Sequence, residues 1–187
     1  FNVTPRQIIR YLAQANEKLG LPHPIHLHTI RLGQPGNYEV TIETMDALKD
    51  IKVAGNGNGF KRTEVLHMTH LQFPSYGGKG WKDFSSEAAE IAAYLNKNSH
   101  VTFDMGQVIF TNTTTMTADG PMEYYLYKLT HNKWLNGQVE LECGSGVVPF
   151  TYSKKNPVNA IQWTIGLEYA LLIKNHWRII LTTDHPN

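Results

Sequence analysis

The sequence predicts an α/β fold built on parallel strands, and three of its features support that prediction. Apolar segments with helical periodicity alternate with short apolar segments of strand length along the 187 residues. No internal repeat or low-complexity linker interrupts this order, so we expect one domain over residues 1–187. The alternation contains four strand-and-helix units, half of the eight in a (β/α)8 TIM-type barrel of about 250 residues. We therefore expect parallel strands with crossover helices, forming half of such a barrel. A doubly wound sheet is the alternative, but its usual glycine fingerprint after the first strand is missing.

The first half of the chain begins with a clear helix start. Thr4 is suited to the N-cap, Pro5 to the first helical position and Gln7 to the capping box. Apolar residues at helical spacing follow, and Gly20 is suited to end the helix. Beyond it we expect a strand over residues 24–28, a second helix over 38–52 and a second strand over 64–70.

The second half continues the alternation around one long insertion. Ser85 is suited to cap a third helix that runs to about residue 95, and residues 101–104 are expected to form a third strand. A last helix is expected over 156–174 and a final strand over 177–183. The insertion spans about residues 105–156, where we expect a strand at 108–110, a polar loop at 111–115, a helix at 121–133 and a strand at 139–142.

Composition excludes several classes of function. With 17 basic and 16 acidic residues the net charge is +1, which gives no electrostatic basis for binding nucleic acid. No apolar stretch approaches the ~18 residues of a membrane span, and we expect no signal peptide. The single cysteine excludes an internal disulfide and fits the cytoplasm. Because the chain starts at Phe1 and stops on a polar turn, we expect an internal fragment of a longer protein.

Side chains that bind metals stand at the ends of three predicted strands. The first strand closes on His26 and His28, which strand alternation places on one face. The second closes on His70 and the last on Asp184. In a barrel the C-terminal ends of the strands form the rim that carries the active site. Imidazole and carboxylate groups that converge there are ligands that zinc prefers. His28, His70 and Asp184 are therefore candidate metal or catalytic residues, while His26 is equally suited to a structural role.

Other residues have weaker claims to a function. We expect His67 to be structural, and Asp104 to be either a supporting carboxylate or a strand-end cap. Asn112 lies in a polar stretch that is a candidate for contacting substrate. Gly55–Gly59 resembles a phosphate loop but follows a helix, so we interpret it as a turn. Gly77–Gly80 follows the second strand and is either a mobile loop over the site or a plain turn.

Five motifs, which span essentially the whole chain, carry a resemblance to a known family. They are His26–His28, Leu32–Asn37, His67–Phe73, Cys143–Gly146 and Thr182–Asn187. The chain resembles the A subunits of formylmethanofuran dehydrogenases and the closely similar A subunits of bacterial formyltransferase/hydrolase complexes, which belong to the amidohydrolase superfamily. This resemblance implies the C-terminal half of a TIM-type barrel, with strands 5 to 8, cut from a longer protein.

The resemblance also implies a metal site and a reaction. One or two zinc ions are expected, with His28 or alternatively His26 as the fifth-strand ligand, His70 as the sixth-strand ligand and Asp184 from the eighth strand. The remaining ligands would lie in strands before Phe1. The implied reaction interconverts N-formylmethanofuran with formate and methanofuran, with Asp184 as general base and then acid. Of His26 and His28, the one that does not bind metal, which we assign as His26, would stabilise the oxyanion.

The implied partners are the other subunits of the complex, within the one-carbon metabolism of methanogenesis or methylotrophy. In the dehydrogenase the chain would be part of an oxidoreductase complex, whose separate molybdenum or tungsten subunit supplies formate. The fragment alone is expected to be inactive.

Three alternatives remain open from the sequence. The first is a barrel scaffold without chemistry, which has no need to keep histidines and an aspartate on one rim. The second is an amidohydrolase that acts on a different, cyclic amide. The third is a metal-free lyase or isomerase, for which the best candidate bases are Glu140 and Glu142.

Overall fold

The computed structural model describes residues 2–54, 62–117, 128 and 146–183. The chain divides into two compact units. The first comprises Phe1–Gln107 and Ile161–Asp184, and the second comprises Val108–Ala160 and His185–Asn187. No helix among the described residues is long and apolar enough to cross a membrane.

A parallel sheet forms the centre of the first unit. Its strands are β1 (Ile25–Leu27), β2 (Leu66–Met68), β5 (Val101–Asp104) and β8 (Ile179–Ile180), and a small antiparallel pair is formed by β3 (Tyr76–Gly77) and β4 (Ser85–Ser86). The parallel strands lie in the order β1-β2-β5-β8, which follows the order of the chain without the reversal of a doubly wound sheet. All three pairings are parallel, so the predicted α/β class is confirmed.

The two faces of this sheet differ in chemistry because alternate residues of a strand point to opposite sides. Leu66, Met68 and Phe103 are fully buried, and the Phe103 ring lies 5.3 Å from the ring of Tyr169 in the last helix. Across the opposite face, one row of register partners reads His26, His67 and Thr102. Apolar packing therefore holds one face, while the other presents imidazole and hydroxyl groups.

The helices follow the predicted pattern with shifted ends. The capping box of Thr4 and Gln7 forms as predicted. The second helix ends at Asp46, short of the predicted residue 52, because the following residues make tighter turns with hydrogen bonds from Leu48 to Met45 and from Ile51 to Leu48. The helices are α1 (Pro5–Lys18), α2 (Tyr38–Asp46), α3 (Ala88–Lys97) and α4 (Pro157–Leu172).

Two predicted boundaries are wrong because hydrogen bonds to distant parts of the chain override local preference. Ser85 does not cap α3; it pairs with Gly77, and the helix begins three residues later. The final strand is only Ile179–Ile180, preceded by a 3-10 turn at His176–Arg178. Buried Arg178 donates to the carbonyl groups of Val101 and Leu95, so it ties this turn to β5 and α3.

The second unit contains an antiparallel hairpin of β6 (Asn112–Thr117) and β7 (Gly146–Thr151), which pair along six residues each. The prediction of a polar loop at 111–115 is therefore wrong, and so is the strand predicted at 108–110. The threonines of β6 are β-branched and favour an extended backbone although they are polar. The predicted helix at 121–133, apart from helical Lys128, and the predicted strand at 139–142 lie outside the described residues.

Candidate active site

Four histidines meet at the C-terminal ends of β1 and β2. The ring centroid of His26 lies 5.2 Å from that of His28 and 5.3 Å from that of His67. The His28 and His70 rings are 4.8 Å apart, with Nδ1 of His28 only 2.8 Å from Nε2 of His70. The structure therefore brings together the three histidines that the sequence singles out and adds His67, for which a structural role is predicted.

His70 reaches this cluster through an unusual backbone conformation. Its φ is +39°, in the left-handed region that residues with a side chain rarely adopt. The β2 strand ends at Met68, so the strict alternation that would place His67 and His70 on opposite faces no longer applies. A turn follows in which the N–H of Phe73 donates to the His70 carbonyl. The left-handed turn therefore returns the His70 ring to the side that carries His67.

Asp104, at the end of β5, holds this turn through hydrogen bonds. The N–H of His70 donates to Oδ1 of Asp104 at 2.9 Å, and the N–H of Leu71 donates to the Asp104 carbonyl, also at 2.9 Å. Gly106 closes the contact: a Cβ at that position would lie 2.3 Å from the Cβ of His70. Only glycine therefore fits at residue 106 against the turn.

The Asp104 carboxylate accepts hydrogen bonds from three directions. Besides the His70 N–H, Oδ1 accepts from the Thr182 hydroxyl at 2.6 Å, and Oδ2 lies 3.3 Å from Nε2 of His67. Burial acts to raise the pKa of Asp104, but the hydrogen bonds from His67, Thr182 and the His70 N–H outweigh it and lower the pKa below its usual range. The group is therefore an ionised acceptor. His67 also contacts the Thr102 hydroxyl through Nδ1, at 3.1 Å.

His26 is exposed and lies next to Thr69, whose hydroxyl oxygen is 2.6 Å from Nε2. Partial desolvation lowers the pKa of His26, and the neighbouring His67 and His28 lower it further. The neutral ring is therefore favoured at neutral pH. A neutral imidazole keeps one donor and one acceptor nitrogen, which suits a group that hydrogen-bonds to a polar substrate.

Asn37 joins two loops that flank the histidine cluster. Its fully buried amide donates to the carbonyls of Arg31 and Phe73 at 3.0 and 2.8 Å and accepts from the Tyr76 N–H at 2.9 Å. The loop before it has positive φ at Arg31, Gly33 and Gly36, and a Cβ on Gly36 would lie 2.7 Å from the Gly78 carbonyl oxygen. The glycines of the Leu32–Asn37 motif are thus explained by tight backbone turns.

Gly77–Gly80, for which the sequence leaves a mobile loop or a plain turn open, is a tied turn. Gly77 pairs with Ser85, and the carboxylate of Asp83 accepts the N–H groups of Lys79 and Gly80 at 2.8 and 2.9 Å.

The remaining predicted site residues either lie outside the described residues or belong to the second unit. Asp184 lies outside the described residues, as do Gly55–Gly59 and Cys143. Asn112 begins β6 in the second unit, where its Oδ1 accepts from the Thr151 hydroxyl at 2.7 Å. Sequence reasoning gave Thr182 no role of its own, although this residue lies in the predicted final strand and opens the Thr182–Asn187 motif.

Two of the predicted metal ligands converge. Nitrogens bound to one tetrahedral zinc ion stand about 3.3 Å apart, given Zn–N bonds of about 2.0–2.1 Å, so the 2.8 Å between His28 and His70 would have to open by only about half an ångström. Across residues 2–54, 62–117, 128 and 146–183, however, no three or more His, Cys, Asp or Glu side chains are grouped so that they could hold a metal ion. The described donor set therefore fits two positions of a zinc site and would need further ligands.

Comparisons with known proteins find similar proteins in two organisms. The chain is 55% identical over 187 residues to Protein FwdA of Methanocaldococcus jannaschii, and the match covers all of this chain and 32% of that protein. It is 35% identical over 193 residues to the A subunit of the formyltransferase/hydrolase complex Fhc of Methylorubrum extorquens, with coverage of 100% and 33%. The chain thus spans about a third of the length of these relatives. They confirm the resemblance inferred from the motifs.

A solved structure and a family model extend the comparison. The crystal structure of the formyltransferase/hydrolase complex FhcABCD from Methylorubrum extorquens, in complex with methylofuran, matches with a TM-score of 0.81 and 34% identity over the whole of this chain and 32% of the matched chain. The model of the amidohydrolase family matches residues 1–187, which is the entire sequence. The chain therefore belongs to the amidohydrolase family.

Proposed function

We propose that the longer protein to which this chain belongs is the A subunit of a formylmethanofuran dehydrogenase or a formyltransferase/hydrolase complex. Its active site would interconvert N-formylmethanofuran with formate and methanofuran, by cleaving or forming a formamide C–N bond. The observation that carries this proposal is the convergence of His28 and His70 at the ends of adjacent parallel strands. Supporting it are two similar proteins, Protein FwdA and the A subunit of an Fhc complex.

The fold proposed for the longer protein is a (β/α)8 TIM-type barrel, in which β1, β2, β5 and β8 are strands 5 to 8. Their consecutive parallel order is the order that neighbouring barrel strands have. Residues 105–156 would then be an insertion between the seventh and eighth strands. The proposal also explains why imidazole groups occupy the face opposite the buried apolar one, since that face would line the barrel interior.

We propose a zinc site for this barrel because members of the amidohydrolase family typically bind metal. His28 and His70 would hold the ion, with Asp184 and ligands from the rest of the protein completing the set. Bound there, zinc would polarise the formyl carbonyl and supply a nucleophile at neutral pH. The left-handed backbone of His70, held by Asp104 and Gly106, would keep one ligand in a fixed orientation.

The chain's own residues would handle the protons and the developing charge. Asp184 would accept the proton of the attacking water and pass it to the amine nitrogen as the C–N bond breaks. His26 would donate a hydrogen bond to the oxygen of the formyl group as negative charge develops on it. In the tautomer that protonates Nδ1, Nε2 of His26 would accept from the Thr69 hydroxyl and Nδ1 would be the nitrogen that donates. We also propose Asn112 as a substrate-binding residue.

The proposed partners are the other subunits of the complex, as in the FhcABCD assembly of the matched crystal structure. In a dehydrogenase, a separate molybdenum or tungsten subunit would exchange formate with this site, which would make the whole assembly an oxidoreductase. Either form would serve one-carbon metabolism in methanogenesis or methylotrophy.

The test uses the full-length protein in its complex. Zinc content and N-formylmethanofuran hydrolysis would be measured for the wild type, for Asp184→Asn and for Asp83→Asn. Asp83 is the matched control because it is an exposed carboxylate that caps a turn. We expect Asp184→Asn to lower kcat ~10²-fold or more while zinc is retained, and Asp83→Asn to leave kcat unchanged. A wild type that binds no metal and hydrolyses nothing would replace this proposal with the scaffold alternative.

A further inference from the structure

The end of β5 joins the ends of β2 and β8, two of the three strands that lead into proposed site residues. The Asp104 carboxylate accepts from the His70 N–H, from the Thr182 hydroxyl and from His67. These partners lie 34, 78 and 37 residues away along the chain. We infer that Asp104 is a positioning residue, which sets the orientation of His70 and the path of the chain beyond β8 without touching substrate.

The β2 side of this link is a backbone conformation that needs support. A left-handed φ is unfavourable for a residue with a side chain, so it persists only where its surroundings favour it. At His70 the support comes from two hydrogen bonds to Asp104, one on the side chain and one on the carbonyl, the second through Leu71. Gly106 packs directly against the His70 Cβ. Loss of the accepting oxygen of Asp104 would free the turn to relax toward an extended conformation, and the His70 ring would move with it.

On the β8 side, the link to Asp104 is made by the Thr182 hydroxyl, which both donates and accepts a hydrogen bond. Thr182 donates to Asp104 at 2.6 Å and accepts from the Gly106 N–H at 2.9 Å. Backbone bonds run alongside it, from Met105 N–H to Ile180 and from Gln107 N–H to the Thr182 carbonyl. Only two residues of β8 pair as a strand, so this hydroxyl is a main tie on the chain that continues toward Asp184, two residues later.

A simple strand-end cap explains less of this arrangement. A cap accepts from the backbone of its own segment, whereas the acceptors of Asp104 are filled from two other strands. A buried carboxylate also costs more to desolvate than an amide or hydroxyl of similar size, and that cost is offset here by three donors. The geometry therefore points to alignment of the β2 and β8 ends as the purpose of this residue.

The experiment uses the full-length protein in its complex and compares Thr182→Val with Thr182→Ser. Valine keeps the shape of threonine but lacks the hydroxyl, and serine keeps the hydroxyl. We expect Thr182→Val to lower kcat about tenfold or more with KM within about twofold, and Thr182→Ser to stay within about twofold of the wild type in both. Asp104→Asn, whose side-chain oxygen still accepts from Thr182 and His70, should retain most of kcat, while Asp104→Ala should lose about a hundredfold.

A second readout does not depend on the reaction. Hydrogen–deuterium exchange of the peptide 66–73, which contains the His70 amide, should be faster in Thr182→Val and in Asp104→Ala than in Thr182→Ser. Thr182→Val and Asp104→Ala should also lose zinc to a chelator faster than Thr182→Ser does. The double variant Thr182→Val with Asp104→Ala should lose about as much kcat as the more damaging single variant, because both changes break the same link.

The inference rests on the proposed function, and the two fail in different ways. A wild type without zinc and without hydrolysis sinks the proposed function, and the exchange measurement then decides alone on the link between the strands. An active wild type in which Thr182→Val matches Thr182→Ser in both kcat and exchange overturns the inference. Equal losses in Asp104→Asn and Asp104→Ala would overturn it too, since charge rather than alignment would then be what matters. If Asp104→Ala does not fold, the pair at Thr182 still decides.

Discussion

At the scale of single residues, the candidate site depends on backbone conformations that few residue types allow. Gly106 and Gly20 have nearly the same φ, +61° and +62°. They differ in surroundings: a Cβ on Gly20 would meet nothing within 4 Å, whereas one on Gly106 would meet the Cβ of His70 at 2.3 Å. The pair therefore separates the cost of a left-handed backbone from the cost of a steric clash.

We predict that Gly20→Ala lowers the free energy of unfolding by about 1 kcal/mol, the usual cost of a Cβ in the left-handed region. Gly106→Ala should lower it by about 2–4 kcal/mol, because the overlap with His70 is added to the same backbone cost. Denaturant unfolding of the full-length protein measures both. Catalytic activity should fall only in Gly106→Ala. Equal losses of stability in the two variants would mean that the His70 turn yields without cost.

At the scale of secondary structure, the sequence predicts the elements whose pattern is local. The capping box and apolar periodicity predict α1, and short apolar segments predict β1, β2 and β5. The two-residue pairings of Ser85 and of β8 are beyond such patterns, because hydrogen bonds to distant partners decide them. The hairpin strand β6 is missed because its threonines are polar, and a run of polar residues predicts a loop.

The same limit applies to the site. The positions of His26, His28 and His70 at strand ends predict a shared site, and the structure brings the three together. The link from Asp104 to His70 and Thr182 is out of reach of the sequence, since it depends on a left-handed turn that no local pattern announces.

One contact between elements should give the protein a distinct response to pH. His100 precedes β5, and its Nε2 lies 2.9 Å from the Met45 carbonyl in α2. Burial lowers the pKa of His100 below its usual value; the Met45 carbonyl and Asp46 oppose the shift, and Arg178 and Lys49 add to it. The unfolded ring takes up its proton at a higher pH than the folded ring. The contribution of His100 to the free energy of unfolding is therefore fully present above about pH 6.5 and is lost as pH falls toward the pKa of the folded state.

We therefore predict that the difference in Tm between the wild type and His100→Gln shifts in favour of the variant as pH falls from 8 to 5. Glutamine places an amide nitrogen near the Met45 carbonyl but does not titrate. Calorimetry of the full-length protein across that range would measure the difference, with pH 8 as the reference for effects of packing alone. A difference that stays constant with pH would contradict the role assigned to His100.

At the scale of the whole molecule, the first unit leaves apolar surface and strand edges uncovered. Among the described residues β1 pairs only with β2 and β8 only with β5, so the sheet has two open edges. On α1, Ile8 and Leu12 are 50% and 57% exposed, and Leu181 beyond β8 is 79% exposed. Uncovered edges and apolar patches of this kind promote association with other chains. The 187-residue chain alone should therefore self-associate and bind hydrophobic dyes.

If the half-barrel proposal is right, the apolar face of α1 is exposed in the 187-residue chain and buried in the longer protein. One pair of variants tests this difference. Replacing Ile8 and Leu12 with lysine should reduce self-association of the 187-residue chain, measured by light scattering, because charge replaces exposed apolar area. In the full-length protein the same double change should lower the free energy of unfolding by about 2 kcal/mol or more, because the proposed barrel buries that face of α1 and a buried lysine is costly. Gln14→Lys, at an exposed polar position of the same helix, is the control and should change neither quantity. If the double lysine variant leaves the stability of the full-length protein intact, the α1 face is open to solvent there too, and the packing expected of a closed barrel does not exist on that side.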